Sequence, residues 1–538
     1  MFKEYEANNQ QSLFNSDMWM DERTKKRLEN SWAPVFNEHI YKMIDERPFE
    51  ALYNEKTGAP NFPVRILLSL EIIKHMQDIS DSELFEKYDF DYLVNYALGQ
   101  RALGEKPMAE RTLYYFRERL YLYTMKNLEG NDLINEQFKW LTQGLTINAG
   151  PYTDKQRVDT TQIMSNIKKA GRVSLAYDVL VKVAKKIPKE KRTGEEEALL
   201  SPTFKQETKY KAKSSETESK LTILLRHCQA VLKRLEGMPE AGAEDETRIL
   251  KRLLAEQGIE NENGEACAKD GKKVSPKSLQ SAHDEEATYR KKGEAGHTGY
   301  VAGITETCSE ENPFQAITDY TVEQNVASDI EILHSRLGHI SEAGCETLYA
   351  DGGFSAGGII EEAASQGIEM QYTNMACNAS GEGKLGIDSF ILNETLDTIV
   401  QCPAGNAPIK TSVAEKSTGA NFDIGSCKQC PYFDQCPARP QKNSFAVRMS
   451  YDQIALSERR KAFIGNFKEN TGMRAAIEGT NSALKRKGMG KLRVRGIVKC
   501  TIVVGYKILA QNIKRFVKYT QGFYDKKIQS TFAPSATE

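Results

Sequence analysis

Arg474, Glu478 and Lys485 stand four and seven residues apart in the stretch TGMRAAIEGTNSALKRKGMGKLRVRG, residues 471–496. At 3.6 residues per helical turn these offsets put all three side chains on roughly one helix face. A carboxylate ringed by cations, next to a Lys/Arg-rich loop with glycines, can hold a divalent metal beside a phosphate backbone while the cations hold that backbone. Taken alone the stretch reads as a solvated charged helix, so the metal reading needs further carboxylates upstream. Two stand out. Asp159 lies inside QRVDTTQIM, whose alternating β-branched and polar residues predict a strand. Asp351 ends the apolar strand of ETLYADGGF and is followed by Gly352 and Gly353. Open α/β sheets place their sites at such strand ends. Each aspartate alone is weak evidence among 74 acidic residues. Their order and element types matter more. Two hard cations ~3.5–4 Å apart need carboxylates converging from several elements, and they can activate a water or a 3′-hydroxyl and stabilise the leaving group in line.

The elements that must position these residues can be read in order. Residues 1–30 are polar and are expected to be poorly ordered. From Trp32 the pattern turns helical. Pro63 opens VRILLSLEIIKHM, and Ser80 with Glu83 forms a capping-box signature before SELFEKYDFDYLVNYALG. A third helix from Ala109 bears Arg111, Tyr114, Tyr115, Arg117 and Arg119. Residues 31–150 fit a helix-turn-helix-like DNA-binding domain, or equally a helical bundle whose Arg and Tyr are solvated or half-buried. Residues 166–280 predict a charged, helical and partly flexible insertion, in which KQETKYKAKSSETESK is too polar for a packed core. Strands at 298–308 and 314–322 follow, then a helix in SDIEILHSRLGHI, the strand before Asp351, a helix from Ser355 to Gln366 and a short strand IEMQYT. This order implies an α/β fold with a mixed sheet flanked by helices. His283, Asp284 and His297 precede a strand and read as loop hydrogen-bonders rather than site residues. An amphipathic helix, KCTIVVGYKILAQNIKRFVKY, follows the basic loop, and the tail at 521–538 has no clear signal.

Residues 375–445 break the pattern. Cys402, the pair Cys427 and Cys430, and Cys436 are spaced as a zinc-ribbon candidate, with Cys377 able to replace one ligand. Clustered thiolates can fold a segment too small for its own core by sharing one ion. A free-thiol loop or a redox pair is the alternative. Cys228, Cys267, Cys308, Cys345 and Cys500 read as ordinary small residues of core or surface.

The chain has 538 residues, enough for two or more domains, and a net charge of −1. The distribution is uneven. Residues 439–518 hold 19 Lys/Arg against four Asp/Glu, a balance of +15 that suggests a polyanionic partner. No apolar run approaches the ~18–20 residues of a membrane span, and MFKEYEANNQ is no signal peptide. A cytoplasmic, nucleoid-associated protein without membrane contact is expected.

VDTT, YADGGFS and RAAIEGTNSALK, in this order and widely separated, resemble the three catalytic blocks of bacterial insertion-sequence DDE transposases. The last block of that family commonly reads Tyr, two residues, Arg, three residues, Glu, six residues, Lys. Arg474, Glu478 and Lys485 match, and the tyrosine position holds Thr471. FPVRILLSLEIIKHMQDISDSELFEKYDFDYLV and TLYYFRERL resemble the InsH-type helical domain, and the four-cysteine segment resembles that of a larger subgroup with this domain pairing. The resemblance implies an RNase H-like catalytic domain over 151–520, interrupted by the two insertions. It implies that Asp159, Asp351 and Glu478 bind two Mg²⁺ or Mn²⁺, and that Arg474 and Lys485 hold DNA phosphate. It further implies that Lys487, Lys491, Arg493 and Arg495, with Arg111, Arg117 and Arg119 of the helical domain, contact double-stranded DNA of the terminal inverted repeats and target. The activity implied is hydrolytic nicking followed by strand transfer, in a homo-oligomer on DNA. The alternatives are a nuclease without strand transfer and a catalytically inactive, zinc-containing DNA-binding regulator.

Overall fold

The computed structural model describes all residues except 6–14, 55–56, 128–131, 169, 211–215, 239–243, 374–384 and 532–538. The N-terminal part is helical: α1 (Glu22–Glu29), α2 (Val64–Gln77), α3 (Asp81–Phe90), α4 (Glu110–Lys126) and α5 (Leu133–Ala149). Pro63 precedes α2, and Asp78 ends it in the left-handed region at φ 55°. Both halves of the Ser80–Glu83 capping box form at the start of α3. α2 is buried on almost every side, as a helix apolar all round must be. The described residues among the first 30 make specific contacts, where poor order was expected. Asp21 caps α1 by accepting from Thr24 N at 2.6 Å, and the Met1 amino group donates to the carbonyls of Thr57 and Ala59. Polar composition hid this because α1 buries little besides Leu28.

The sheet begins with β1 (Lys155–Met164). The chain then leaves for the insertion, whose main helices are α6 (Arg172–Ala184), α7 (Thr217–Glu236) and α8 (Glu244–Gln257). These are helices as expected, but the region is more than a loose charged excursion. Val179, Leu180, Leu224, Cys228, Ile249 and Leu253 form a separate apolar core. Within the polar stretch, Thr208 is buried and Lys209 pairs with Asp178 at 2.6 Å. Charged outer faces concealed a narrow apolar stripe at helical spacing.

The chain returns through β2 (Thr288–Lys292), β3 (Ala295–Thr307), β4 (Ile317–Gln324), α9 (Asp329–Glu342), β5 (Thr347–Ala350), α10 (Gly357–Ser365) and β6 (Glu369–Tyr372). The sheet order is β2-β3-β1-β5-β6, with β4 also on β3. β3 runs antiparallel to β1, while β5 runs parallel to β1 and β6 parallel to β5. The sheet is therefore mixed, with β1 central, as in RNase H-like folds. A second small sheet follows, in which β7 (Lys410–Ala414), β8 (Ser417–Asp423) and β9 (Ser444–Ser450) pair antiparallel. Then come α11 (Tyr451–Phe463), α12 (Phe467–Leu484) and the long α13 (Ile497–Thr531). α13 continues beyond residue 520, where the sequence carried no signal.

The N-terminal helices do not stand apart from the sheet. Phe36, Phe116, Phe138, Tyr320, Tyr506 and Ile513 belong to one core built from N-terminal helices, β4 and α13. The seam is tight at Gly505 of α13. A Cβ there would meet Tyr320 Oη and, at 2.9 Å, Ile134 Cγ2 of α5. Gly505→Ala should therefore destabilise the protein by ~1–3 kcal/mol through overpacking, although alanine favours a helix. Urea unfolding of the two proteins checks this; a more stable variant would show that the seam is loose.

Candidate active site

Asp159 sits mid-strand on β1, beside Ile304 of β3. Asp351 follows β5 and opens the Gly352–Phe354 turn, where its Oδ1 accepts from Gly353 N at 2.8 Å. Arg474 and Glu478 lie one turn apart on α12. Arg474 Nη2 is 3.0 Å from Asp159 Oδ1 and 3.4 Å from Asp351 Oδ2, and its Nη1 is 3.7 Å from Glu478 Oε1. One guanidinium thus touches all three sequence-predicted carboxylates. Burial pushes the Asp159 carboxyl up, and the Arg474 charge pulls it back down. The side chains open progressively outwards, Asp159 at 14%, Asp351 at 33% and Glu478 at 69% exposure.

Among the described residues no three Asp, Glu, His or Cys side chains are close enough to form a ready metal cage. Arg474 is the cation between the acids here. A set of carboxylates around one positive group is nevertheless the donor chemistry of a hard divalent ion, so these residues fit such an ion provided Arg474 yields its place. Lys485 follows α12 at its C-terminal end, is exposed, and forms no ion pair with the three acids among the described residues.

Two polar residues near the acids escaped the sequence reading. Asn481 Nδ2 donates to Asp159 Oδ2 at 2.9 Å, and Thr160 Oγ1 donates to Asp329 Oδ1 at 2.9 Å. Asp329 also flanks Asp351. A Cβ on Gly353 would meet Asp351 Oδ1 at 2.9 Å and Asp329 Oδ2 at 3.1 Å, which explains the glycine. The helical offset of three from Glu478 could have pointed to Asn481. Nothing distinguished Asp329 from an ordinary first-turn acid of a capped helix.

A buried charge network locks β1 and α12 together. Glu306 of β3 is fully buried and lies opposite Arg157 of β1 in register. It accepts from Arg157 at 2.7 Å, from Arg515 of α13 at 3.0 Å and from Thr480 Oγ1 of α12 at 2.8 Å. Arg157 also donates to the Met473 carbonyl on α12 at 2.8 Å.

The expected DNA contacts divide into two groups. Lys491, Arg493 and Arg495 are exposed on a loop zipped to the end of β1, where Met164 N donates to Gly490 O and Leu492 N to Met164 O, both at 3.0 Å. Asp284 steadies the loop's far end. It is buried and accepts from Tyr300 Oη at 2.6 Å and Gly496 N at 3.1 Å, the bonding role expected of it. Lys487, by contrast, is half-buried and donates to Gln511 Oε1 at 2.6 Å. Burial, with Lys514, Arg515 and Lys507 adding repulsion, pushes its ammonium down to about 8. Arg117 is likewise committed inside the protein, to Glu71 at 2.5 Å and Asp81 at 2.7 Å. Spacing could not show that two acids from α2 and α3 would meet it. Arg119 lies over the Tyr53 ring at 4.9 Å, and Arg111 is 5.9 Å from that of Tyr115. A cleft of about 840 Å³ between α2, α4 and α13 is lined by Lys74, Tyr114, Lys491, Arg493 and Lys499 among others.

Cys402, Cys427, Cys430 and Cys436 line one cavity of about 370 Å³ in the second small sheet. Burial pushes the Cys427 and Cys436 thiols up, and the neighbouring thiols add to the effect. Cys377 lies outside the described residues.

A central-strand aspartate, a strand-end aspartate and a late-helix glutamate on a mixed sheet are consistent with an RNase H-like DDE fold. The comparisons with known families agree. Residues 401–517 match the family described as Transposase DDE domain, and residues 23–119 match the one described as Transposase domain (DUF772). Together the two matches support an insertion-sequence DDE transposase. The first match includes Glu478 and the four clustered cysteines and leaves Asp159 and Asp351 outside. No curated protein and no solved structure matches the chain. Among the described residues no helix is long and apolar enough to cross a membrane.

Glu306→Gln keeps the shape of the network but leaves the buried Arg157 and the half-buried Arg515 without their countercharge. It should cost ~3–5 kcal/mol of stability. Glu342→Gln, in an exposed pair with Lys139, should cost less than ~1 kcal/mol. Urea unfolding of both variants measures the contrast, and equal losses would mean the network is not what holds α12.

Proposed function

We propose that this transposase binds the ends of its own element and both cuts and joins DNA there by metal-assisted phosphoryl transfer. The observation that supports this best is the single Arg474 guanidinium in contact with carboxylates from β1, the turn after β5, and α12. Asp159, Asp351 and Glu478 would hold two Mg²⁺ or Mn²⁺. When bound, such ions supply activation of the attacking oxygen and neutralisation of charge on the phosphate. Asp159 anchors the site on the rigid central strand, and the exposed Glu478 completes it from the solvent side. Arg474 presents a planar fork suited to a phosphate, and Lys485 a second cation about three turns on. Lys491, Arg493 and Arg495 follow the DNA backbone, with Arg111 and Arg119 of the helical domain extending the grip. Residues 31–150 act as the DNA-binding part and 151–520 as the catalytic part. Joining two ends calls for two protomers. Cys402, Cys427, Cys430 and Cys436 hold one structural zinc, supported by their shared cavity.

Labelled element ends incubated with a target plasmid and Mg²⁺ test this reading; nicking without joining would reduce it to a nuclease. Glu478→Gln removes the charge that offsets a cation but keeps the side chain's shape. Nicking should fall by orders of magnitude while DNA affinity stays at the parent value. Neutralising Lys491, Arg493 and Arg495 together should do the reverse, flattening the dependence of log affinity on log salt by up to about 0.9 per lost phosphate contact. A gel-shift salt series beside the nicking assay separates the two, and a Glu478→Gln protein nicking at the parent rate would remove Glu478 from the site.

The zinc assignment has its own test. Elemental analysis of the purified protein should find about one zinc per chain, with the four clustered thiols protected from alkylation until chelator is added. Zinc-free protein with all four thiols freely alkylated would refute it.

A further inference from the structure

Asn481 lies nearly one turn beyond Glu478 on α12, and its side chain is 7% exposed. Its Nδ2 donates to Asp159 Oδ2, while Arg474 Nη2 donates to Asp159 Oδ1. Both oxygens of the most buried acid are therefore held from the same helix. An ionised carboxylate only accepts, so it orients the amide with its N–H towards Asp159. That leaves Asn481 Oδ1, which is sealed from solvent and has no hydrogen-bond partner. A buried amide oxygen without a donor costs ~1–3 kcal/mol. Here the cost is incurred beside Asp159, where a hard cation is expected. An asparagine carbonyl is an ordinary ligand for such a cation.

We propose that Asn481 is a further oxygen donor of the metal site, setting the orientation of Asp159 through its N–H and offering its amide oxygen to the divalent ion that Asp159 holds. This rests on the metal-site reading given above.

Mn²⁺ binding to the full-length protein, followed by electron paramagnetic resonance, tests the proposal without reference to turnover. Asn481→Leu removes both polar atoms at similar size and should weaken Mn²⁺ binding by about 10–100-fold. Asn481→Asp keeps an oxygen donor and should bind Mn²⁺ at least as well as the parent. The Mg²⁺ concentration for half-maximal nicking should rise for Asn481→Leu in step with the Mn²⁺ result, with DNA affinity unchanged. Unfolding midpoints without metal verify that each variant folds, and Asn481→Ala is read in the same way if the leucine variant does not. Parent-like Mn²⁺ binding by Asn481→Leu, or equal weakening by Asn481→Leu and Asn481→Asp, would overturn the proposal. Asp159→Asn separates the two levels. If it leaves Mn²⁺ binding intact, the metal-site reading itself fails. If it abolishes binding while Asn481→Leu does not, only the role of Asn481 fails.

Discussion

Glu306 is a carboxylate with no exposure to water, and much of the architecture around the acidic cluster depends on how its charge is met. An uncompensated buried charge would be prohibitive, so the fold must bring cations and donors to it. Arg157 comes from β1, Arg515 from α13 and the Thr480 hydroxyl from α12. β1, β3 and the pair α12 and α13 are far apart in sequence, yet one carboxylate bridges them all. Arg157 and Asp159 share a face of β1, because strand side chains alternate. Thr480 is two residues from Glu478 and six from Arg474 on α12. Satisfying Glu306 therefore sets β1 and α12 at the separation that lets Arg474 reach Asp159. The strongest buried interaction and the site are two registers of the same strand–helix contact.

The same strand joins chemistry to the basic loop. β1 carries Asp159 near its middle and pairs at its end with residues 490–492. The exposed cations of that loop are thus held by backbone hydrogen bonds to the strand that bears Asp159, the most buried of the three clustered acids. A backbone connection of this kind is stiff, and stiffness matters where a misplacement of about 1 Å can cost ~100-fold in rate. On the other side, α13 packs against α2, α5 and β4 through one continuous core. The N-terminal helices are consequently not a tethered reading head. Their position relative to the sheet is set by apolar packing, which acts over short distances and tolerates little sliding.

What the sequence disclosed follows the range of the forces involved. The strand around Asp159, the capped helix α3 and the mixed sheet order were legible because alternation, capping and helical period are local signals. The three carboxylates were legible through their order and a resemblance in three short blocks. The partners of Arg117 were hidden for the opposite reason. A surface arginine and one buried between two acids look alike in a string, and Glu71 and Asp81 are 46 and 36 residues away. Lys487 shows the same limit: it sits in a basic run, but the turn around Gly488, at φ 76°, folds it back against α13 while its neighbours face solvent. The core of the insertion was missed because composition averages over a helix, whereas burial depends on one stripe of it.

Arg474 raises a question that composition cannot pose. Three carboxylates drawn together repel, by about 1 kcal/mol per pair at 4 Å even in water and by more where water is excluded. Something positive must offset this if the fold is to hold them in reach of one another. The offset comes from α12 itself, the helix that supplies Glu478. Arg474 precedes Glu478 by four residues, the less favourable order for a helical ion pair, and the pair is long at 3.7 Å. Its shorter contacts are with Asp159 and Asp351 across the cleft. The arginine is thus better explained as a countercharge for the acids of the sheet than as a stabiliser of its own helix. A divalent cation approaching those acids would compete with it for the same oxygens. On the proposed function, Arg474 would tie assembly of the acidic cluster to its use: the group that lets the carboxylates gather is the one that an incoming metal would have to displace, and once displaced it would present a planar fork suited to a phosphate.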